Sequence, residues 1–363
     1  MEAVRARAVL ARTPALKCAE LTALLAAAGG EPQRALAASV MREVQLPPAA
    51  RDFLASPLDS AIADDLSWLT LSGAHILLCT DPEYPPLLRQ IAMAPAALYV
   101  LGSAALLSAP QLAMVGSRSP TPAGRATARE FAAWFARAGL TVTSGLAVGI
   151  DAASHEGALA GGGTTVAVCG TGLDQVYPAE HRELAQRIVA HGALVSEFPP
   201  GTPPLRANFP QRNRIIGGLS LGTLVVEAAR HSGSLITARL AVENGREVFA
   251  IPGSIHSPLS RGCHQLIKQG AKLIEEAADV MSELRISVGK EPLTPASAAP
   301  QKPPALDKEY EMLLDALGFE PATIDTLVAR THLPGESVAS MLLILELEGR
   351  VASLPGGRYS RIP

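Results

Sequence analysis

The sequence has few aromatic residues and no excess of basic charge. Its 363 residues include only 7 Phe, 5 Tyr and 2 Trp, which argues against a nucleic-acid surface built from a row of stacking rings. Lys and Arg number 31 against 34 Asp and Glu, so the net charge of -3 excludes a globally basic protein. Any contact with nucleic acid must therefore rest on a local group of arginines and on backbone amides.

Cysteine and long apolar runs are also scarce. The four cysteines, Cys18, Cys79, Cys169 and Cys263, form no Cys-x-x-Cys pair, so their spacing predicts neither a zinc site nor a secreted disulfide framework. No uninterrupted apolar run reaches the ~18 residues that a membrane-spanning helix needs. We therefore expect a cytoplasmic protein with reduced cysteines and without membrane insertion.

The composition is that of a folded protein with several domains. A hydrophobic content of 48% and a charged content of 18% exclude wholesale disorder, and the length allows two or three domains. The first part reads as helices, with one short strand at His75–Cys79. We predict a helical domain at 1–75, a Rossmann-like domain at 76–286, a Pro/Ala-rich linker at 287–304 and a winged helix at 305–363.

The central part alternates short apolar strands with amphipathic helices. Unbroken apolar strands are typical of a parallel sheet covered on both faces, so we predict an α/β, Rossmann-like, doubly wound and mostly parallel sheet. The strands are predicted at Leu112–Val115, Thr141–Thr143, Thr165–Val168, Leu194–Ser196, Thr223–Val226, Val248–Ile251 and Leu273–Ile274.

The C-terminal part has the pattern of a winged helix. Three helical segments, Leu306–Leu317, Thr323–Arg330 and Ser337–Leu347, precede a hairpin around Pro355-Gly356-Gly357. This part has five cations and nine acids, and its third helix has no Lys or Arg. Because a helix that reads a DNA groove needs basic residues, we expect this domain to contact protein.

Small residues follow several strands at the edge where parallel sheets bind ligands. Gly116, Ser117 and Arg118 come first, with Thr121 as a helix N-cap and Pro122 as the first helical residue, so helix amides are expected to face a ligand. Gly172 and the Ser232-Gly233-Ser234 segment end two later strands. A single such loop is an ordinary turn, but several at one edge indicate a binding site.

Basic residues concentrate between Pro203 and Lys272. This stretch has nine cations and three acids, and Arg206, Phe209, Arg212, Asn213 and Arg214 crowd one short segment. Arginines with one aromatic ring can hold phosphates and stack a base. A charged solvent face of a helix is the alternative interpretation.

Enzymatic alternatives have weaker support. The best dinucleotide-binding match, Gly170-Thr171-Gly172, lacks the third glycine, so a dehydrogenase is disfavoured and no cofactor is expected. A Rossmann-type nucleotide hydrolase, of the phosphoribohydrolase kind, would carry a PGGxGT motif, whereas Pro252-Gly253-Ser254 continues differently. The histidines read as structural, and Glu227 reads as a carboxylate that orders its loop. No catalytic residues are predicted.

Six segments resemble the DNA-processing protein A (DprA/Smf) family. They cover the predicted Rossmann-like domain, while the helical domain resembles the family's sterile-alpha-motif-like (SAM-like) domain and the tail its winged helix. The segments are VGSRSPT at 115–121, SGLAVGIDAASHEGAL at 144–159, GTGLDQVYPAEH at 170–181, SEFPPGTPPLRANFPQRNRIIGGLS at 196–220, VVEAARHSGSLITARLA at 225–241 and PGSIHSPLSRGCHQLIKQGA at 252–271.

The resemblance implies a non-enzymatic protein. Family members bind incoming single-stranded DNA during natural transformation, protect it and load the RecA recombinase on it. They also form a homodimer through the Rossmann-like domain, for which the segment after Lys272 is the candidate here. With the loops above, the family motifs give the predicted nucleic-acid-binding set: Gly116, Ser117, Arg118, Gly172, Arg206, Phe209, Arg212, Asn213, Arg214, Ser232, Gly233 and Ser234.

Overall fold

The computed structural model describes residues 2–286, 308–318 and 321–362. The linker predicted at 287–304 lies outside these residues. In the described part of the chain, no helix combines the length and the apolar character that crossing a bilayer requires.

Helices make up the N-terminal part, as predicted. Arg12 reaches from the first helix to the fully buried carboxylate of Asp65, with Nε and Nη2 each 2.7 Å from a carboxylate oxygen. Its Nη2 also donates to the carbonyl of Pro200, far along the chain. The helices are α1 (Glu2–Arg12), α2 (Cys18–Ala27), α3 (Pro32–Ala35), α4 (Ala38–Glu43), α5 (Pro48–Ala55) and α6 (Asp59–Ser72).

A nine-stranded sheet forms the centre of the described structure. Its strands are β1 (His75–Leu78), β2 (Ala97–Gly102), β3 (Gln111–Val115), β4 (Thr141–Ser144), β5 (Thr165–Val168), β6 (Ala193–Ser196), β7 (Gly222–Val225), β8 (Glu247–Ala250) and β9 (Lys272–Leu273). The helices between and after them are α7 (Pro86–Arg89), α8 (Pro122–Arg137), α9 (Ile150–Ala160), α10 (Arg182–His191), α11 (Asn208–Leu219), α12 (Ser234–Glu243), α13 (Arg261–Lys268) and α14 (Ala277–Leu284).

The strand order is β1-β2-β6-β5-β4-β3-β7-β8-β9. From β6 to β9 all pairs are parallel, which confirms the predicted mostly parallel sheet, whereas β1 and β2 add an antiparallel edge. The chain runs outward from β3 in one direction and from β7 in the other. The boundary between β3 and β7 is therefore the point where a doubly wound sheet opens a ligand crevice.

Both faces of the sheet are buried. Along β3, Ala113 and Val115 pack in one hydrophobic cluster, while Leu112 and Met114 pack in the other around α8. This burial on both faces explains why β3 is apolar at every position from Leu112 to Val115.

The first edge of the sheet differs from the prediction. A short strand was predicted at His75–Cys79, at the boundary between the helical and the Rossmann-like domains, but β1 pairs with β2, which the sequence analysis did not identify. The cluster that contains Ala113 also contains Leu10, Leu21 and Leu24 of the helices. The parts on either side of the predicted boundary at 75/76 therefore share one core.

The cysteine prediction also needs correction. Cys18 and Cys79 form a disulfide, with Cα atoms 5.8 Å apart, that joins α2 to the end of β1. Spacing along the chain could not indicate the pair, because the two residues meet only when α2 packs on the sheet. Cys169 and Cys263 are buried as thiols.

The C-terminal part is a winged helix, as predicted. Its elements are α15 (Lys308–Leu317), β10 (Ala322–Thr323), α16 (Ile324–Thr331), α17 (Gly335–Leu347), β11 (Val351–Leu354) and β12 (Arg358–Arg361). The strand order is β10-β12-β11. Leu313, Leu327 and Leu342 are fully buried in a hydrophobic cluster made of residues from this part alone. The domain therefore has its own core.

Candidate nucleic-acid interface

A cleft of about 960 Å³ opens at the carboxyl ends of β3 and β7, where the strand order reverses. Its walls are the loop after β3, the start of α11, and the loop between β7 and α12. Most of the predicted binding residues line it: Gly116, Ser117, Arg118, Arg206, Phe209, Arg212, Asn213, Ser232, Gly233 and Ser234.

A carboxylate fixes the loop after β3. Glu227 accepts hydrogen bonds from the backbone N and from Oγ1 of Thr121, at 2.9 and 2.6 Å. Thr121 in turn caps α8 by accepting from the amide of Gly124 at 2.9 Å. The N-cap and the loop-ordering role of Glu227 are confirmed. The amides of Gly124 and Thr121 are thus bonded within the loop, and the expectation that the amides of this helix face a ligand stays a prediction.

Arginine and aromatic side chains meet at one wall of the cleft. The guanidinium carbon of the exposed Arg118 lies 5.8 Å from the ring centroid of Phe209. On the same ring, Tyr177 packs with its centroid 5.6 Å away and the planes tilted by 43°. The sequence analysis did not select Tyr177, although it lies within the segment GTGLDQVYPAEH. A flat base can stack on such a wall.

The floor of the cleft contains a buried arginine. Arg212 is 3% exposed, and its Nε and Nη1 have no hydrogen-bond partner among the described residues. Its guanidinium lies against Gly145 so closely that a Cβ there would be 1.6 Å from Nη1. Burial lowers the pKa of Arg212, although the nearby Asp151 opposes this shift. Unpaired donors in a low-dielectric site are costly, so a ligand that accepts from them is strongly favoured.

Asp151, at the start of α9, is the acidic residue at the floor. The residue is 8% exposed, and its Oδ2 accepts from the amide of Ala147 at a long 3.4 Å. Burial raises the pKa of Asp151, while the positive charges of Arg212 and Arg118 oppose this rise. The pair Asp151 and Arg212 is not among the ion pairs within 4.0 Å that the described residues form. Sequence reasoning did not assign this residue, because an acid was not expected beside arginines.

The third wall begins α12. Ser232 and Ser234 share a hydrogen bond between their hydroxyl oxygens at 2.7 Å, and the exposed Arg230 and His231 precede them. The N-terminus of a ten-residue helix contributes partial positive charge here. The sequence analysis selected the serines but not Arg230 and His231, which the structure adds to the rim.

Gly172 and Arg214 lie outside the cleft. The amide of Gly172 donates to the carbonyl of Thr202 at 3.0 Å, which stabilises a turn. Arg214 is 9% exposed, forms an ion pair with Glu197 and donates to the carbonyl of Met93 at 2.5 Å. Because it lies two residues after Arg212 on a helix, it points to another side, towards the core.

A histidine near this region has a structural role. His155 is fully buried, and its Nδ1 is 2.7 Å from Oγ1 of Thr165. Burial lowers the pKa of His155 to about 3, so the ring is neutral. This agrees with the structural interpretation of the histidines.

These features define the class: a Rossmann-like protein whose switch-point cleft carries four arginines, two aromatic rings packed at a tilt and one buried acid. The chain belongs to the DNA recombination-mediator protein A (DprA/Smf) family. The model of that family matches residues 75–285, and that of the DprA winged helix domain matches residues 297–357.

Relatives match most of the chain. Protein Smf of Escherichia coli K12 is 44% identical over 317 residues, which are 86% of this chain and 84% of that protein. The X-ray structure of DNA processing protein A from Streptococcus pneumoniae has a TM-score of 0.65 and 36% identity, and covers 76% of this chain and 95% of its own. The Helicobacter pylori protein, described for its unique single-stranded DNA binding mode, has a TM-score of 0.53 and 28% identity, and covers 58% and 95%.

Proposed function

We propose that this protein binds single-stranded DNA in the cleft between β3 and β7. The observation that carries the proposal is the layered arrangement of the cleft. Exposed arginines at the rim, Arg118, Arg206 and Arg230, surround the ring of Phe209, and the unpaired donors of Arg212 lie beneath. Phosphates meet the rim, and a base stacks on the ring.

The preference for single strands follows because the Phe209 ring lies inside the cleft, where only an unpaired base can reach it. In a duplex the bases are stacked and paired, so their faces cannot reach Phe209 without the cost of opening the helix. A single strand presents its bases at much lower cost. The Helicobacter pylori relative, described as a single-stranded DNA binder, supports the assignment.

The test is a fluorescence anisotropy titration with one labelled oligonucleotide, single-stranded or annealed to its complement. We expect tighter binding of the single strand by at least tenfold, which is about 1.4 kcal/mol. Equal affinity for the two forms would contradict the proposal. A duplex with a single-stranded tail is the matched control, and it should bind like the single strand.

In the cell, the bound strand is proposed to be incoming DNA during natural transformation. The protein, acting in the cytoplasm, protects it and loads the RecA recombinase on it. The family description as a recombination mediator supports this role. The measurement is RecA ATP hydrolysis on DNA already covered by single-strand-binding protein. We expect the chain to shorten the lag before hydrolysis, and an unchanged lag would contradict recombinase loading.

A binding role without catalysis accounts for the cleft better than nucleotide hydrolysis. The loop that would carry a hydrolase motif, 252–257, does not line the cleft, and the carboxylate of Glu227 is occupied by Thr121. Incubation with nucleoside monophosphates separates the two functions. We expect no release of base, whereas a phosphoribohydrolase would release it.

The winged helix is expected to be dispensable for single-strand affinity. It carries five cations against nine acids, and α17 has no Lys or Arg. Its separate core means that removing it leaves the other clusters intact. A 1–290 truncation should bind within about threefold of the full chain, and a loss beyond about tenfold would refute the prediction.

We also propose a homodimer held through the Rossmann-like domain by the segment after Lys272. There β9 is the edge strand of the sheet, and Leu273 is 48% exposed. An exposed strand edge with an apolar side chain favours pairing with a second chain. Light scattering should give twice the chain mass of 37.7 kDa, and Leu273→Asp should shift it towards the monomer. A wild-type monomer at tens of micromolar would refute the dimer.

A further inference from the structure

The floor of the cleft has a donor and an acceptor side by side. Arg212 offers Nε and Nη1 without partners, and the carboxylate of Asp151 lies close enough for each charge to shift the other's pKa. They are not among the ion pairs within 4.0 Å that the described residues form, although both line the same cavity. Such a pair complements a ligand edge that carries both acceptors and donors.

A phosphate is a poor occupant of this floor. It would bring negative charge against the buried carboxylate of Asp151, where a low dielectric strengthens repulsion. The exposed arginines of the rim, Arg118, Arg206 and Arg230, offer phosphates a solvated alternative. The charge distribution therefore favours phosphates at the rim of the cleft and an uncharged part of the ligand at its floor.

Phe209 sets the position of that neutral ligand. Phe209 and Arg212 are three residues apart on α11, so they share a helix face with a rise of about 4.5 Å between them. A base that stacks on the Phe209 ring therefore extends its edge towards Arg212. Asn213 lines the same cavity and adds a side-chain amide at that edge.

Building on the proposed function, we propose that the Asp151–Arg212 floor reads the Watson–Crick edge of one unpaired base and prefers guanine. Guanine carries two adjacent donors, N1–H and the N2 amino group, beside the acceptor O6. A carboxylate can accept both donors while the guanidinium donates to O6. Thymine, cytosine and adenine each offer a carboxylate fewer adjacent donors on this edge. The protein would then bind any single strand, with one position at which guanine is favoured.

The test uses full-length protein and oligo(dT) of fixed length, with or without one central substitution. Direct base contacts of this kind support an increase in affinity of roughly tenfold for a single dG. Deoxyinosine, which lacks the N2 amino group, should lose most of the gain. 7-Deazaguanine, which keeps the Watson–Crick edge, should retain it. Equal affinity for dT, dG and inosine oligonucleotides would overturn the inference, and so would a gain that 7-deazaguanine abolishes.

A protein variant provides the second arm. Asp151→Asn should reduce the ratio of the dG-substituted to the oligo(dT) affinity from roughly tenfold to roughly one, with folding checked by circular dichroism. Persistence of the preference in a folded variant would overturn the inference. The base analogues alone decide the matter if the variant fails to fold. Tight binding without base preference refutes only the inference, whereas absent single-strand binding refutes the proposed function itself.

Discussion

Replacing Arg118, Arg206 and Arg230 together with Ala is expected to weaken single-strand binding roughly 100-fold at low salt. Each exposed arginine at the rim contributes a charge-assisted contact that solvent partly screens, so three together account for about 3 kcal/mol. Each phosphate neutralised on a single strand contributes about -0.7 to the slope of log K against log salt. The triple variant should therefore flatten that slope by about 2.

The matched control removes the same charge elsewhere. Arg137, Arg182 and Arg187 are exposed and do not line the cleft. Their triple replacement with Ala changes the net charge equally, so any general electrostatic effect appears in both variants. We expect the control to keep a salt slope within about 0.5 of the wild-type value. Equal slopes in the rim variant and the wild type, with both folded, would place the DNA elsewhere.

Phe209→Ala is expected to lower affinity by ~1–3 kcal/mol, or about 5- to 150-fold, while leaving the salt slope unchanged. The ring provides a stacking face between Arg118 and Tyr177, and it carries no charge that could release a counterion. Anisotropy titrations at several salt concentrations measure both quantities. The contrast with the arginine variant separates stacking from phosphate contacts.

Phe209→Tyr is the control, because it retains a ring of nearly the same size and should restore affinity to within about threefold. Phe209 is partly buried, so the loss in the alanine variant has to be separated from unfolding by a thermal melt. A folded alanine variant with wild-type affinity would show that the strand does not stack on this wall.

The sequence predicted the central sheet well, because a parallel sheet buried on both faces leaves a signal in every strand. Helix α8 begins at Pro122 with Thr121 as its N-cap, as predicted, because capping chemistry marks the start of a helix in the sequence. The antiparallel strand β2 was missed because its place is set by pairing between distant segments, β1 and β6. Such pairings depend on tertiary structure and leave little trace in local periodicity.

The sequence predicted the loops that line the candidate site, but it did not predict which residues form the buried floor of the cleft. Motif and charge located Arg118, Arg206 and Phe209, which the fold brings together. Motif and charge could not show that Arg212 is buried in the cleft floor, or that Arg214 points away from the cleft and forms an ion pair with Glu197. Two arginines separated by one residue look alike in sequence, and helix geometry decides which faces the ligand.

The sequence also could not predict that Asp151, an acidic residue, lies in the cleft. Along the chain it lies in the first turn of α9, far from the basic segment that contains Arg212. Only the packing of α9 and α11 against β3 and β4 brings the two residues to one cavity. A pattern of charge along the sequence therefore predicted a basic cleft, and the structure adds the acid that divides it into a rim and a floor.

Photo-crosslinking tests most directly whether this cleft holds the DNA. A single-stranded oligonucleotide with 4-thiothymidine is irradiated with the full-length protein, and the crosslinked peptides are identified by mass spectrometry after trypsin digestion. The account predicts adducts on the peptide 207–212, which contains Phe209, and on 231–239 at the start of α12. An excess of double-stranded competitor should leave them in place. Adducts confined to the winged helix, with none on these two peptides, would contradict the account.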